Sequence, residues 1–271
     1  MNKVEGVIFD WAGTTVDFGC FAPVNALLQV FESREIEVTM DEARAPMGML
    51  KWDHIKTMLE MKRINNIWRE KYSRDFDEED VNTLHSEFEP LLISSLSMYS
   101  KPLPGVVEVA KELRDNGMAV GSTTGYTDKM MEAVLKGSRK NGYEPDFWIT
   151  SDSTNSYGRP YPYMIFKNIE ALQLSSVWKV VKVGDTKSDI HEGINAGVWS
   201  VGTVIGSSEM GLSSEEFENL SENKKNDAIK STEEVFLRAG ADFTINTLNE
   251  LPELIEKINL LIREGKKPNA K

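Results

Sequence analysis

Short apolar and β-branched runs recur along the chain, separated by longer amphipathic stretches. Residues 4–9, 118–123, 147–150, 180–183 and 199–204 are runs of strand length, rich in Val, Ile, Phe and Trp. Residues 243–245 read as an edge strand. Between the runs, residues 106–116, 127–141, 161–172 and 189–196 carry apolar positions at helical spacing. Strands alternating with helices predict an α/β fold, a Rossmann-like parallel sheet with helices on both faces.

One region breaks the alternation. From about residue 21 to residue 99 the pattern is helical, with helices expected over 23–31, 49–61, 64–72 and 78–96. The punctuation Lys101-Pro102-Leu103-Pro104-Gly105 then returns the chain to the sheet. The expected organisation is a core of residues 1–18 and 100–271 and an inserted helical cap of residues 19–99. The insertion leaves the core beside the tip of the first strand, so it can cover whatever that tip carries. Residues 207–231 are polar and charged and read as a surface excursion, and no internal repeat is visible.

Composition narrows the functional classes. The chain has 271 residues, 40% of them hydrophobic, enough for a substantial core. Its 31 basic and 43 acidic residues leave a net charge of −12, which argues against nucleic acid as a partner. No apolar run approaches bilayer-spanning length, so no membrane association is expected. No basic segment followed by a long apolar stretch opens the chain, and the lone Cys20 excludes an intrachain disulfide. A cytoplasmic location is the expectation.

Four segments carry candidate chemistry. In Val7-Ile8-Phe9-Asp10-Trp11-Ala12-Gly13-Thr14-Thr15-Val16-Asp17 an apolar run ends in a carboxylate, followed by a small-residue, hydroxyl-rich turn. Asp10 is either a helix-capping residue or a nucleophile at a strand tip. Asp17 is a helix cap or a solvated residue. Gly121-Ser122-Thr123-Thr124-Gly125-Tyr126 ends the second strand and offers a hydroxyl and backbone N–H groups to a phosphoryl oxygen. Gly158-Arg159-Pro160-Tyr161-Pro162 places a cation just before a helix. Val183-Gly184-Asp185-Thr186-Lys187-Ser188-Asp189 sets two carboxylates where a hard divalent cation such as Mg²⁺ finds oxygen ligands. Each segment alone is weak. Together they are strong, because parallel strands bring their C-terminal ends to one place.

The order resembles that of the haloacid dehalogenase (HAD) superfamily, whose phosphatases carry a second carboxylate two residues after the nucleophile. Here that position is Ala12. Attention then moves to the insertion, where Ala45-Pro46-Met47-Gly48-Met49-Leu50-Lys51-Trp52-Asp53-His54 turns into a helix. Lys51 and His54 share a helical face, with Met47 and Met49 as apolar neighbours. Such surroundings favour a neutral amine, the form that attacks an aldehyde. The plain alternative is an exposed helix lysine with a histidine beside it.

These strings, with Gly19-Cys20-Phe21-Ala22-Pro23, Gly206-Ser207-Ser208-Glu209 and Ala241-Asp242-Phe243-Thr244-Ile245, resemble the phosphonoacetaldehyde hydrolase (phosphonatase) family over nearly the whole chain. The resemblance implies hydrolysis of the P–C bond of a small phosphonate aldehyde to acetaldehyde and phosphate, within 2-aminoethylphosphonate degradation. It implies a Schiff base on Lys51, an aspartyl-phosphate on Asp10, and Mg²⁺ held by Asp10, the Ala12 carbonyl and Asp185, with Asp189 in support. Arg159, Thr124 and Gly125 would hold phosphoryl oxygens, and Met47, Gly48 and Cys20 would line the substrate. His54, Tyr126 and Cys20 would handle protons or tune the lysine. It also implies a homodimer formed through the cap, where Ile67, Trp68 and Tyr72 serve either the interface or the core. The competing readings are a HAD phosphatase or phosphomutase for a small phosphate ester, a metal-free dehalogenase and a non-catalytic scaffold.

Overall fold

The computed structural model describes residues 3–268. In chain order the elements are β1 (Gly6–Phe9), α1 (Phe21–Glu32), α2 (Met40–Arg44), α3 (Lys51–Glu60), α4 (Lys62–Tyr72), α5 (Glu78–Tyr99), α6 (Val106–Asp115), β2 (Ala119–Thr123), α7 (Asp128–Lys140) and β3 (Phe147–Ile149). They continue as α8 (Tyr163–Ala171), β4 (Val180–Gly184), α9 (Lys187–Ala196), β5 (Trp199–Thr203), α10 (Ser214–Asn219), α11 (Glu222–Ala239), β6 (Phe243–Ile245) and α12 (Leu251–Arg263).

All six strands form one parallel sheet in the order β3-β2-β1-β4-β5-β6. The central strands β1 and β4 are buried along their whole length, which is why they read as apolar runs, broken in β4 only by Lys182, rather than as alternating ones. The expected edge strand, β6, is indeed at an edge. From β1 the chain builds outward through β2 and β3, then returns to the other side of β1 as β4. That reversal leaves a crevice outside the C-terminal ends of β1 and β4, where open α/β sheets place their ligands.

The helices α1 to α5 lie in sequence between β1 and β2. Leu27, Phe31, Ile55, Met58, Leu59, Ile64, Leu84 and Phe88 give them an apolar interior, and α5 packs against α7 beside the sheet. Trp68 is fully buried in this interior, with the Tyr72 ring 4.4 Å away, so it is a core residue. The start of α2 is fixed by Thr39 and Glu42, each capping the other's backbone N–H.

Residues 207–231 lie largely at the surface, as expected, but they begin in a buried turn and are mostly helical. Ser207 and Ser208 are buried, and the charged remainder forms α10 and the first half of α11. Glu, Lys and Ala are good helix formers even where only a narrow stripe, with Thr232 and Phe236, faces the core. Among the described residues no helix is long and apolar enough to cross a membrane.

Candidate active site

The end of β1 is locked to its neighbour before any chemistry begins. The Asp10 N–H donates to the Val183 carbonyl at 2.9 Å. The N–H groups of Thr14, Thr15 and Val16 all donate to the Trp11 carbonyl, and the Thr15 hydroxyl donates to the Asp10 carbonyl at 3.0 Å. This tight loop needs small residues, and it presents the Asp10 side chain to the crevice. Asp17 caps α1, accepting from Phe21 N and Ala22 N with its two oxygens at 2.9 Å each. Burial pushes its carboxyl up to about 7 despite those two donors.

Asp185 follows β4, and the Ser208 N–H donates to its Oδ2 at 2.8 Å. Asp189 forms a reciprocal cap with Thr186 at the start of α9, accepting the Thr186 hydroxyl at 2.6 Å. One ligand oxygen from each of Asp10, Asp185 and Asp189 can be taken so that all lie within 4.8 Å of one another. Arg159 sits among these acids. Its Nη2 donates to Asp10 Oδ1 at 2.6 Å and to the Thr123 carbonyl at 2.8 Å, its Nη1 is 3.0 Å from Asp189 Oδ1, and its Nε donates to Glu192 Oε2 at 3.0 Å. Lys182 Nζ completes the group at 2.7 Å from Asp189 Oδ1.

The cluster carries more buried acid than base. Four buried carboxylates, Asp10, Asp185, Asp189 and Glu192, face two buried cations, Arg159 and Lys182. Burial pushes the Asp185 carboxyl well above its ordinary range, and the nearby Asp10 and Asp189 add to the effect. Asp10 is raised mainly by burial, against the pull of Arg159. Asp189 is held low, because Arg159 and Lys182 outweigh the cost of its burial. A divalent cation would balance the excess negative charge of the ionised cluster, and the oxygen donors suit a hard one.

The insertion contributes a different kind of site. Lys51 is the first residue of α3 and is buried. Its Nζ lies 3.8 Å from the Met47 sulfur and 5.7 Å from the centre of the Tyr126 ring. Burial is the main cause that lowers its ammonium below the usual lysine range, and the positive end of the α3 dipole works in the same direction. His54 is also fully buried. Its Nε2 lies 2.8 Å from the Ala43 carbonyl, which can only accept, so Nε2 carries the hydrogen; Nδ1 has no partner. Burial, and then Lys51, push His54 down to about 3, so it stays neutral at neutral pH. Burial holds the Cys20 thiol and the Tyr126 hydroxyl well above their ordinary values, both in their protonated forms.

The two parts meet in one small, nearly filled cavity with about 20 Å³ of free space. Asp10, Ala12, Thr124, Gly125, Tyr126, Arg159, Asp185 and Thr186 line it from the sheet side, Met47, Gly48 and Lys51 from the insertion, and Cys20 from the link between them. Of the residues marked in the sequence, only His54 and Asp189 stand behind this lining. The insertion loop can approach so closely because two glycines lack side chains. A Cβ on Gly48, which has φ +87°, would come within 2.4 Å of Thr186 Oγ1, and one on Gly125 within 2.9 Å of the Met49 carbonyl oxygen.

Lys182, Glu192 and Ser208 were not marked. Lys182 had left a signal, a lone charge inside the apolar run Val180-Val181-Lys182-Val183, and Glu192 lies three residues after Asp189 on the same face of α9. Ser208 left none, since its role comes through a backbone N–H.

Residues 4–197 match the family model of the haloacid dehalogenase-like hydrolases. The chain is 55% identical over 257 residues to a phosphonoacetaldehyde hydrolase of Lysinibacillus sphaericus, covering 95% of this chain and 96% of that protein. It is 50% identical over 260 residues to a phosphonoacetaldehyde hydrolase of Parabacteroides distasonis, covering 96% and 98%. A crystal structure of a phosphonoacetaldehyde hydrolase-like protein from Oleispira antarctica superposes with a TM-score of 0.95 at 37% identity, covering 98% of this chain and 96% of that one. The chain belongs to the haloacid dehalogenase-like hydrolases and, within them, to the phosphonoacetaldehyde hydrolase family.

Proposed function

We propose that the protein hydrolyses phosphonoacetaldehyde to acetaldehyde and phosphate, as part of 2-aminoethylphosphonate breakdown, with Asp10 acting on phosphorus and Lys51 on the aldehyde. The observation that carries this reading is the shared cavity. A carboxylate held by Arg159 and a buried lysine with no carboxylate among the described residues hydrogen-bonded to it line the same small cavity, and Ala12 leaves no acid to protonate a leaving oxygen.

The chemistry follows from the leaving group. Breaking a P–C bond expels a carbanion, for which an acid aimed at oxygen is of little use. The Lys51 amine adds to the aldehyde carbon and water leaves, giving an iminium. Asp10 attacks phosphorus, the P–C pair moves into the iminium to give an enamine, and an aspartyl-phosphate forms. Water hydrolyses that ester to phosphate. The enamine takes a proton on carbon, and a second water releases acetaldehyde and regenerates the amine, so one water is consumed overall.

Arg159 offsets charge on the nucleophile and the phosphoryl group, with Thr124 and the Gly125 N–H as further donors to phosphoryl oxygens. Asp10, the Ala12 carbonyl and Asp185, supported by Asp189, would hold Mg²⁺, which would supply neutralising charge to the phosphoryl group when bound. Met47, Gly48 and Cys20 shape the aldehyde end, and Tyr126 and Cys20 are protonated groups that line the cavity with Lys51. His54, neutral and behind Lys51, is buried near the start of α3 and adds no charge there.

In this reading residues 19–99 are a cap that opens for exchange and closes for turnover, over a core of residues 1–18 and 100–271. A cytoplasmic homodimer assembled through the cap accompanies it. With Trp68 in the interior, the apolar surface left for that contact includes Leu91 and Met98, two turns apart on α5.

The test is reductive trapping. Incubation with phosphonoacetaldehyde and borohydride should add an ethyl group, or its phosphonate precursor, to Lys51, located by peptide mass spectrometry. Phosphate release from phosphonoacetaldehyde that persists unchanged in Lys51→Arg would sink the imine route. Turnover of small phosphate esters at a comparable rate would favour a phosphatase instead.

A further inference from the structure

The buried acids and bases of the core include two groups that the proposed chemistry does not use. Lys182 lies within β4 at 1% exposure, and Glu192 lies on α9 at 0%. Neither lines the cavity. Glu192 Oε2 accepts from Arg159 Nε and from the Thr123 hydroxyl, both at 3.0 Å, and lies 3.6 Å from Lys182 Nζ. Lys182 Nζ also meets Asp189 Oδ1, the oxygen that Arg159 Nη1 touches. Glu192 Oε1 is buried without a hydrogen-bond partner among the described residues.

A buried ion pair is a poor way to stabilise a core, since well-packed apolar side chains of similar volume do as well or better. The placement points to another use. Arg159 is a planar fork, and its orientation is fixed only if each edge is held. Glu192 holds the Nε edge, Asp189 holds Nη1, and Nη2 is thereby aimed at Asp10. Lys182 keeps the two carboxylates together by neutralising both.

We propose that Lys182 and Glu192 are positioning residues. Together they set the aim of Arg159 at Asp10 and tune how much negative charge the core presents to a divalent cation. The inference rests on the proposed roles of Asp10 and Arg159.

The two residues carry opposite charges, so the proposal makes a signed claim. Binding of Mg²⁺ alone to the resting enzyme is measured by calorimetry for Lys182→Met, Glu192→Gln and the double variant. Lys182→Met should tighten Mg²⁺ and Glu192→Gln should weaken it, each by about fivefold or more, because one removes a buried positive charge and the other a negative one. The double variant should return to near the wild-type affinity. In phosphate-release assays kcat should fall by about 10²-fold in both single variants, with KM changed far less. In the double variant kcat should stay low, because Arg159 Nε has still lost its charged acceptor and keeps at most a weaker bond to a neutral amide.

A merely structural pair would shift Mg²⁺ binding in the same direction in both single variants, and that result overturns the proposal. So does a kcat within twofold of wild type in both. Should Lys182→Met fail to fold, Glu192→Gln and the double variant decide the matter: equal Mg²⁺ affinity in the two would overturn it. A wild-type protein that releases no phosphate from phosphonoacetaldehyde sinks the proposed activity, and the metal-binding arm still reports on the network.

Discussion

Arg159 and Lys51 are both 5% exposed cations lining the same cavity, yet their surroundings push them in opposite directions. Around Arg159 stand Asp10, Asp189 and Glu192, and their charge outweighs the cost of burial and raises its affinity for the proton further. Around Lys51 stand a thioether and an aromatic ring, with no carboxylate hydrogen-bonded to it, so burial prevails and the amine is favoured. Burial alone therefore does not decide a buried cation's state; the presence of paired acids does. The sheet side supplies a permanent charge for phosphorus, and the insertion supplies a base that can become a nucleophile.

Removing either reacting group breaks the comparison outright. Asp10→Asn and Lys51→Arg should each lower phosphate release from phosphonoacetaldehyde by about 10⁴-fold or more, with only Lys51→Arg also abolishing borohydride-dependent labelling of position 51. Propping the two halves apart should cost less. In Gly125→Ala the new Cβ would meet the Met49 carbonyl at 2.9 Å, and a shift approaching 1 Å should lower kcat/KM by up to about 10²-fold. A thermal melt close to wild type would show that the loss lies in alignment.

A subtler variant would make Lys51 resemble Arg159. Met47→Glu puts a carboxylate beside the Lys51 amine and should raise its pKa. Less neutral amine is then present at a given pH, so the acid limb of kcat/KM should move to higher pH. An unmoved limb would show that Lys51 protonation does not control that limb.

The smallest effect concerns Asp17. Its carboxyl rises from an ordinary 3.8 to about 7 on folding, so the folded state holds a proton that the unfolded chain has released between those values. Stability from this group is therefore greatest below about pH 4 and is lost as pH rises toward about 7. The Tm of wild type minus that of Asp17→Asn should decline across that interval, and a flat difference would contradict the assignment.

Much of this was legible in the chain. Each strand-like run became a strand, and the four motifs could be assigned to one site because parallel strands share the direction of their C-terminal ends. Ala12 beside Asp10 and Lys51 beside Met47 pointed to the cavity before any geometry was known. The charge of 207–231 marked its exposure, while its Glu, Lys and Ala content placed α10 and the start of α11 there. Trp68 carried no local signal to separate core from interface.

Local pattern thus determined the sheet, the helical insertion and the identity of most groups in the cavity, because periodicity and turn chemistry act between neighbours in sequence. Tertiary structure alone decided the states of those groups. Arg159 meets Asp10 across 149 positions of chain and Glu192 across 33, while Lys51 reaches the cavity without gaining such a partner. A buried charge depends on which distant side chains come within a few ångströms of it, and only the folded chain sets those distances.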